Sequence, residues 1–77
     1  MEMEIYGFKA RVVKDGKYYA ATVKELNANT QGRSLSEVKK NLKEAVTLVF
    51  EDVLKRESSY NRALVKRVKI NVLHNLV

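Results

Sequence analysis

The chain has 77 residues, which fits one small domain spanning the whole of residues 1–77 and leaves no room for a second. It contains no cysteine, so disulfides, zinc sites built from thiolates and thiol nucleophiles are excluded. No apolar run approaches the roughly 20 residues of a membrane-spanning helix, and the first residues do not resemble a secretory signal. We therefore expect a cytoplasmic protein with no membrane partner.

The balance of charge is basic, with 15 Lys and Arg residues against 9 Asp and Glu, a net charge of +6. This balance favours nucleic acid or an acidic protein surface as a partner, although charge also keeps a small domain soluble. A chain this short buries only roughly 60% of the surface that its unfolded form exposes. We therefore expect a homo-oligomer, a dimer or a tetramer, formed through edge strands or through apolar residues of the tail (Leu73, Leu76 and Val77).

Two strands joined by a tight turn are predicted first. In residues 4–14, apolar and aromatic side chains alternate with Lys9 and Arg11, the period-two pattern of a half-buried strand. Asp15-Gly16 follows, and this dipeptide between two such runs is typical of a β-hairpin. The second strand is predicted over residues 18–25, with alternate residues facing the same buried side (Tyr19, Ala21 and Val23).

A short third strand and a long helix come next. Residues 30–33 form the predicted strand, and Ser34 and Glu37 then have the spacing of a capping box. In that motif the serine hydroxyl accepts the Glu37 amide, and the Glu37 side chain reaches back to the amide of Ser34. Apolar residues recur at intervals of three and four from Leu35 to Leu54, which predicts an amphipathic helix ending near residue 56.

The last predicted element is a strand over residues 64–72, where apolar and polar side chains alternate again. The fold class is therefore α+β in the order β-β-β-α-β. We expect an antiparallel meander, one long helix packed on one sheet face, and a last strand that lies beside strand one and parallel to it through a right-handed crossover.

The sheet face that the helix leaves uncovered is predicted to be basic. Its candidate residues for an anionic partner are Lys9, Arg11, Tyr18, Lys24, Arg67 and Lys69. Such a cluster favours docking of phosphates or of an acidic partner, and a tyrosine among the cations can stack on a base. A solvated face of an antiparallel sheet, covered by Lys and Arg stems, explains the same residues without any ligand.

Residues that carry catalytic or metal chemistry are not grouped in this sequence. His74 is the only histidine, and no Cys, Ser or carboxylate lies at a motif spacing from it. Glu51 and Asp52 are adjacent, but consecutive helical residues point about 100° apart and do not converge on one site. We predict that the chain is not an enzyme, has no catalytic residue, and binds neither a metal nor a cofactor.

Several short motifs, taken in order, resemble the HicB-like antitoxins. They are Tyr19-Ala20, Lys24-Glu25-Leu26, Thr30-Gln31-Gly32, Ser34-Leu35-Ser36-Glu37 and Asn41-Leu42-Lys43-Glu44-Ala45. The resemblance covers residues 5 to about 72, and the family has the β-β-β-α-β order. At the matching positions, Gly32 is expected to allow a sharp turn before the helix, and Ala45 a close approach of the helix to the sheet.

The resemblance implies an antitoxin that binds a cognate small ribonuclease toxin and neutralises it by steric masking. An acidic patch on the helix, formed by Glu44, Glu51 and Asp52, is then a candidate contact for a basic toxin. No appended DNA-binding domain is expected, because the sequence ends at Val77. Two other functions stay open: a stand-alone basic nucleic-acid-binding module that uses the open sheet face, and an orphan oligomeric scaffold domain.

Overall fold

The computed structural model describes residues 1–75 and contains four strands, two α-helices and two single-turn 3₁₀ helices within them. The strands form one antiparallel sheet in the order β1-β2-β3-β4, with a long helix on one side of it, so the α+β class is confirmed. Leu76 and Val77, two of the predicted tail contacts, lie outside the described residues. In chain order the elements are β1 (Glu2–Ile5), β2 (Phe8–Asp15), β3 (Tyr18–Val23), a 3₁₀ turn (Lys24–Leu26), β4 (Ala28–Gly32), α1 (Leu35–Lys55), a second 3₁₀ turn (Glu57–Ser59) and α2 (Arg62–Asn75).

Two tight turns determine the register of the first three strands. Tyr6 and Gly7 join β1 to β2, and both have positive φ angles, 51° and 81°, the pattern of a type I′ turn. The predicted strand over residues 4–14 is therefore broken into two antiparallel strands at this point. The hairpin between β2 and β3 is confirmed, but its loop is Gly16-Lys17, because Asp15 already pairs with Tyr18. Only Gly16 has a positive φ, as in a type II′ turn.

The core lies between the inner face of the sheet and helix α1. Alternation along the strands places small and apolar residues on this face, and α1 contributes a stripe of buried residues at intervals of three and four. The rings of Phe8 and Phe50 lie 5.8 Å apart, and Tyr6 lies 6.0 Å from Phe50, so the aromatic side chains meet under the first turn. The buried hydrophobic residues of the sheet are Ile5, Phe8, Ala10, Val12, Ala21, Val23 and Ala28, and those of α1 are Val38, Leu42, Val46, Phe50 and Val53.

The start of α1 follows the predicted capping motif with one change. The Ser34 hydroxyl accepts a hydrogen bond from the Glu37 amide at 3.1 Å, as predicted. The Glu37 side chain, however, accepts from the amide of Arg33 at 3.4 Å, one residue earlier than in a standard capping box. The helix ends at Lys55, close to the predicted end.

Gly32 has a different structural role from the one expected. It is not among the glycines with positive φ, and the bend between β4 and α1 lies at Arg33 and Ser34, directly after it. A Cβ atom at this position would lie 3.0 Å from the backbone nitrogen of Val38 and 3.1 Å from Cγ of Glu37. Glycine is needed because β4 and the first turn of α1 approach each other closely.

The predicted final strand is wrong, because residues 62–75 form helix α2. Asn61 caps this helix: its side-chain oxygen accepts the Ala63 amide at 2.8 Å, and its carbonyl accepts the Val65 amide at 3.0 Å. Val65 and Val68 are buried, so the helical spacing of three residues determines the structure rather than the alternation of two.

The crossover to the first strand is also wrong, since the place beside β2 is already filled. β1 pairs there with antiparallel register, Met3 opposite Ala10 and Ile5 opposite Phe8. With β1 in that position, no edge of β2 is left for a C-terminal strand. The N-terminal residues thus take the position that the prediction gave to the last strand.

Helix α2 is attached to the rest of the domain partly through charged side chains. The Arg67 guanidinium lies 4.2 Å from the centre of the buried Phe8 ring and pairs with Glu25 of the first 3₁₀ turn at 2.5 Å. Lys69 pairs with Glu57 of the second 3₁₀ turn at 3.0 Å. These contacts place α2 on the inner side of the sheet, together with α1.

Candidate functional site

The side of the sheet opposite α1, called the outer face here, is open to solvent. Strand register places eleven side chains on it, and all of them except the half-buried Ala20 are exposed. Both helices lie on the inner side, and no other element of residues 1–75 packs on this face. Its residues are Glu2, Glu4, Lys9, Arg11, Val13, Asp15, Tyr18, Ala20, Thr22, Asn29 and Gln31.

Charges on the outer face alternate in sign between neighbouring strands. Glu2 of β1 lies directly opposite Arg11 of β2, and Glu4 lies opposite Lys9. Side chains paired in this way have Cβ atoms about 5 Å apart, close enough for opposite charges to offset each other. With Asp15 near the far end, the cationic side chains of this face do not outnumber its carboxylates.

The centre of the outer face is apolar. Val13 of β2, 55% exposed, lies opposite Ala20 of β3. Tyr18 is next along β3, 41% exposed, with the Arg33 guanidinium 5.8 Å from its ring centre. An aromatic ring, an arginine and an aliphatic side chain in one neutral patch have the composition that protein–protein interfaces favour.

The predicted basic face is only partly present. Lys9, Arg11 and Tyr18 do share the outer face. Lys24 begins the 3₁₀ turn after β3, and the other two predicted residues, Arg67 and Lys69, belong to α2 on the inner side of the sheet. The five cations are therefore not clustered, because the last strand that was to carry two of them is a helix.

The predicted acidic patch on α1 is present but smaller than expected. Glu44 and Glu51 are seven residues apart and so lie on one face of the helix, where both are exposed. Asp52 points aside and binds Arg56 through two hydrogen bonds, at 2.8 and 3.0 Å, and the hydroxyl of Tyr60. Two carboxylates, not three, are therefore available at this patch.

The Asp52 contacts change the protonation behaviour of the groups that make them. Hydrogen bonds from Arg56 and then from Tyr60 lower the pKa of Asp52 below its ordinary value of 3.8. The same bond raises the pKa of Tyr60, because the phenol donates to a carboxylate and would lose that bond on ionisation. Together, the side chains of Asp52, Arg56 and Tyr60 join the end of α1 to the segment before α2, which is a structural role.

Two exposed apolar residues, Leu48 and Val13, were not identified from the sequence as candidate contact residues. Leu48 is 65% exposed and lies between Glu44 and Glu51 on α1. With Tyr6, Lys43, Glu44 and Thr47 it lines a shallow depression of about 420 Å³. Leu48 does not belong to the buried stripe of α1, and this position in the helical pattern could have indicated that it is exposed. Val13 gave a similar signal, since it falls between polar residues on the solvent side of β2.

The part of the chain that the structure describes contains no group of three or more His, Cys, Asp or Glu side chains that could hold a metal ion. His74 is exposed near the end of α2. Within residues 1–75, no helix is both long enough and apolar enough to cross a bilayer.

Comparisons with known proteins give no match for this chain among protein-family models, curated proteins or solved structures.

Proposed function

We propose that this chain is a protein-binding module of the antitoxin kind, which neutralises a small ribonuclease toxin by covering its active surface. Support comes from the ordered HicB-like motifs in the part of the fold that contains β3, β4 and the start of α1. Gly32 lies at the close contact between strand and helix, and Ser34 caps that helix. The C-terminal helix differs from the family order, so the likeness concerns residues up to the end of α1.

The observation that carries the proposal is the chemistry of the outer face. The whole chain has a net charge of +6, yet on this face Glu2 and Glu4 lie opposite the two cations of β2. At contact distance a basic protein meets no excess of positive charge on such a face, and Val13 and Tyr18 give it an apolar centre to desolvate. The function follows from exclusion of solvent and substrate, so no catalytic group is required of this chain.

The same observation disfavours nucleic acid as the partner. Binding to a phosphate backbone depends on several cations that act together without nearby carboxylates. Lys9 and Arg11 each have a glutamate opposite, and Arg67 is engaged by Glu25 on the other side of the domain. A protein partner therefore fits this face better than a phosphate backbone does.

The size of the outer face requires its partner to extend over an edge of the sheet. Four strands about 4.8 Å apart and about six residues long give a flat area of roughly 400 Å². A standard interface buries about 800 Å² on each partner. The edge at β4 is obstructed, because the Asn41 side chain donates to the Gln31 carbonyl at 3.0 Å.

The other edge, at β1, is available for pairing. Met1 and Val12 exchange both of their backbone hydrogen bonds, at 2.7 and 3.1 Å. In an antiparallel pair this pattern alternates, so the backbone groups of Glu2 and Glu4 point away from β2. We expect the partner to contact the outer face and to add a strand beside β1.

The first experiment is co-expression of the chain with the product of the adjacent small gene. A stable complex and restored growth are expected. Val13→Asp should abolish both, since it places an unpaired charge in the centre of the interface. Leu48→Asp is the matched control, with a similar exposed side chain on the opposite side of the domain, and should leave the complex intact. Absence of a complex and of rescue by the unaltered chain would contradict the proposal.

A second experiment tests the edge and the competing partner. Glu4→Pro removes an amide hydrogen that points to solvent, so the fold should survive while the complex is lost. RNA binding should be measured in parallel over a series of salt concentrations. A steep salt dependence that disappears in Lys9→Glu/Arg11→Glu, without any protein complex, would favour the nucleic-acid module instead.

A further inference from the structure

The edge of the sheet at β1 combines free backbone groups with an alternation of side chains. The backbone amides and carbonyls of Glu2 and Glu4 point away from β2, as the hydrogen-bond pattern of the pair requires. Both glutamate side chains are exposed on the outer face, whereas Met3 between them is half-buried on the inner side and packs against the core. An incoming strand therefore meets backbone donors and acceptors, two carboxylates on one side and an apolar side chain on the other.

The cations of β2 do not remove the negative character of this edge. Arg11 lies opposite Glu2 and Lys9 lies opposite Glu4, but both cations are one strand further from the edge. A side chain added opposite Glu2 is about 5 Å from that glutamate and about 10 Å from Arg11, because strands lie about 4.8 Å apart. Coulomb energy falls with distance, and salt screens the longer distance more strongly. The nearest charge therefore determines the preference of the edge, and that charge is negative.

The other charges near β1 leave this preference unchanged. The ammonium group of Met1 donates to the Val12 carbonyl at 3.1 Å, so it points toward β2 and not toward the open edge. On the inner side, Lys43 and Glu44 of α1 line the depression next to Tyr6, and these adjacent residues have opposite signs. The outer row of the edge is thus acidic, and its inner row is apolar.

We infer that β1 accepts a strand with the order cation–apolar–cation, in which the cations lie opposite Glu2 and Glu4 and the apolar residue lies beside Met3. The inference rests on the proposed function, which places a partner strand at this edge, and it specifies the chemistry of that strand. Opposite charges directly across from each other stabilise a pair of strands. Main-chain hydrogen bonds supply the affinity of an added strand, and its alternate side chains supply the specificity.

The same side chains disfavour a second copy of the chain at this edge. If two β1 strands paired antiparallel about Met3, Glu2 of one copy would lie opposite Glu4 of the other, and like charges in that position destabilise a sheet. Charged residues on edge strands commonly prevent such pairing. The two glutamates therefore exclude the chain itself and attract a cationic strand, which makes the edge selective for a different protein.

The first test measures the binding of short peptides to the chain by nuclear magnetic resonance. The probe is an acetylated and amidated peptide, Lys-Val-Lys-Val-Lys, and the control is Lys-Lys-Val-Val-Lys, which has the same composition and charge. Only the probe contains two lysines separated by one apolar residue. It should bind at least about fivefold more tightly than the control, and the amide signals of Glu2 and Glu4 should shift most. Equal binding of the two peptides would overturn the inference.

Variants of the chain locate the site of binding. Glu2→Gln/Glu4→Gln keeps the size of both side chains and removes their charge, so it should weaken binding of the probe about threefold to tenfold. Asp15→Asn/Glu51→Gln removes the same charge from exposed positions outside β1 and should bind like the unaltered chain. Glu4→Pro, which also removes a backbone donor, should abolish binding. An equal loss in the first two variants would mean that net charge alone attracts the peptide, against the inference.

The inference and the proposed function can fail separately. A toxin complex that forms equally well with Glu2→Gln/Glu4→Gln would overturn the inference and leave the proposed function standing. Binding of the probe at Glu2 and Glu4, without a toxin complex and without restored growth, would support the inference and contradict the proposed function. Far-ultraviolet circular dichroism of each variant verifies that the fold is kept.

Discussion

The two helices of this domain lie on the same side of the sheet but are held there by different forces. α1 buries five side chains along its length, and its first turn lies in close contact with Gly32 of β4. α2 buries Val65 and Val68 and adds the bonds of Arg67 and Lys69 to exposed glutamates. The first helix is part of the core, and the second is attached to its edge.

This difference between the helices indicates which of them opens more easily when a partner binds or a residue is substituted. Apolar burial contributes roughly 25 cal/mol per Å², whereas exposed ion pairs contribute about 1 kcal/mol or less. A helix of 14 residues is also marginal by itself in water. We therefore expect α2 to open locally before the sheet and α1 unfold, and the predictions below test that order.

The largest effect is expected from truncation in the core under α1. Phe50→Ala removes the ring that contacts Tyr6 and Phe8, and should cost about 3–5 kcal/mol of unfolding free energy. Val68→Ala, on α2, should cost about 2 kcal/mol. Chemical denaturation followed by circular dichroism measures both. Equal losses, or a larger loss at Val68, would contradict the smaller contribution of α2 to the stability of the domain.

A smaller effect is expected where α1 approaches the sheet. Gly32→Ala places a Cβ atom 3.0 Å from the Val38 nitrogen, and the contact is with backbone, which cannot rotate away. The cost should be about 1–3 kcal/mol. Gly16→Ala tests the other reason for a glycine, since nothing lies near its Cβ and only its positive φ is strained. A Gly32→Ala variant as stable as the unaltered chain would mean that β4 and α1 can separate freely.

The third prediction concerns the attachment of α2. Arg67→Ala removes the cation above the Phe8 ring and the bond to Glu25, and should cost about 1 kcal/mol because the pair is largely exposed. Lys66→Ala, one residue earlier and without an ion pair in the described chain, is the matched control. Hydrogen exchange in dilute protein should show faster exchange in α2 amides alone. Faster exchange throughout the chain would contradict separate opening of α2.

The difference between the helices also explains what the sequence could predict. α1 has a cap at Ser34 and a long apolar period that fits no strand, so its position follows from local rules. In the segment after Asn61, Val68, Ile70 and Val72 fit a strand, while Val65, Val68 and Val72 fit a helix. The Asn61 cap is a local feature that favours the helix. The choice between strand and helix depended on whether an edge of β2 was free, and this is determined by the tertiary structure.

The candidate site was also predictable only in part. Lys9, Arg11 and Tyr18 followed from alternation within the parts of the predicted strands that form β2 and β3. The neutral character of the outer face did not follow, because Glu2 and Glu4 lie opposite the cations only once residues 6–7 form a turn. Tyr6 at a positive φ is unusual for a bulky residue, so the local sequence gave a weak signal for that turn.

The smallest effect is expected at the junction between the two helices. Asp52 has a lowered pKa because it accepts hydrogen bonds from Arg56 and Tyr60. A group whose pKa is lower in the folded chain stabilises the fold above its ordinary value of 3.8, and this contribution is lost as pH falls through the folded-state pKa. Asp52→Asn should therefore be slightly less stable than the unaltered chain at neutral pH and equal to it in strong acid.

Glu51→Gln provides the control, since it removes a carboxylate from the neighbouring position without affecting Tyr60. Its stability should follow that of the unaltered chain at neutral pH. Thermal unfolding at intervals between pH 7 and pH 2 measures all three proteins. A difference between Asp52→Asn and the unaltered chain that stayed constant down to pH 2 would mean that the ionised carboxylate does not hold the junction. In that case the packing of Tyr60 alone would join α1 to the segment that leads into α2.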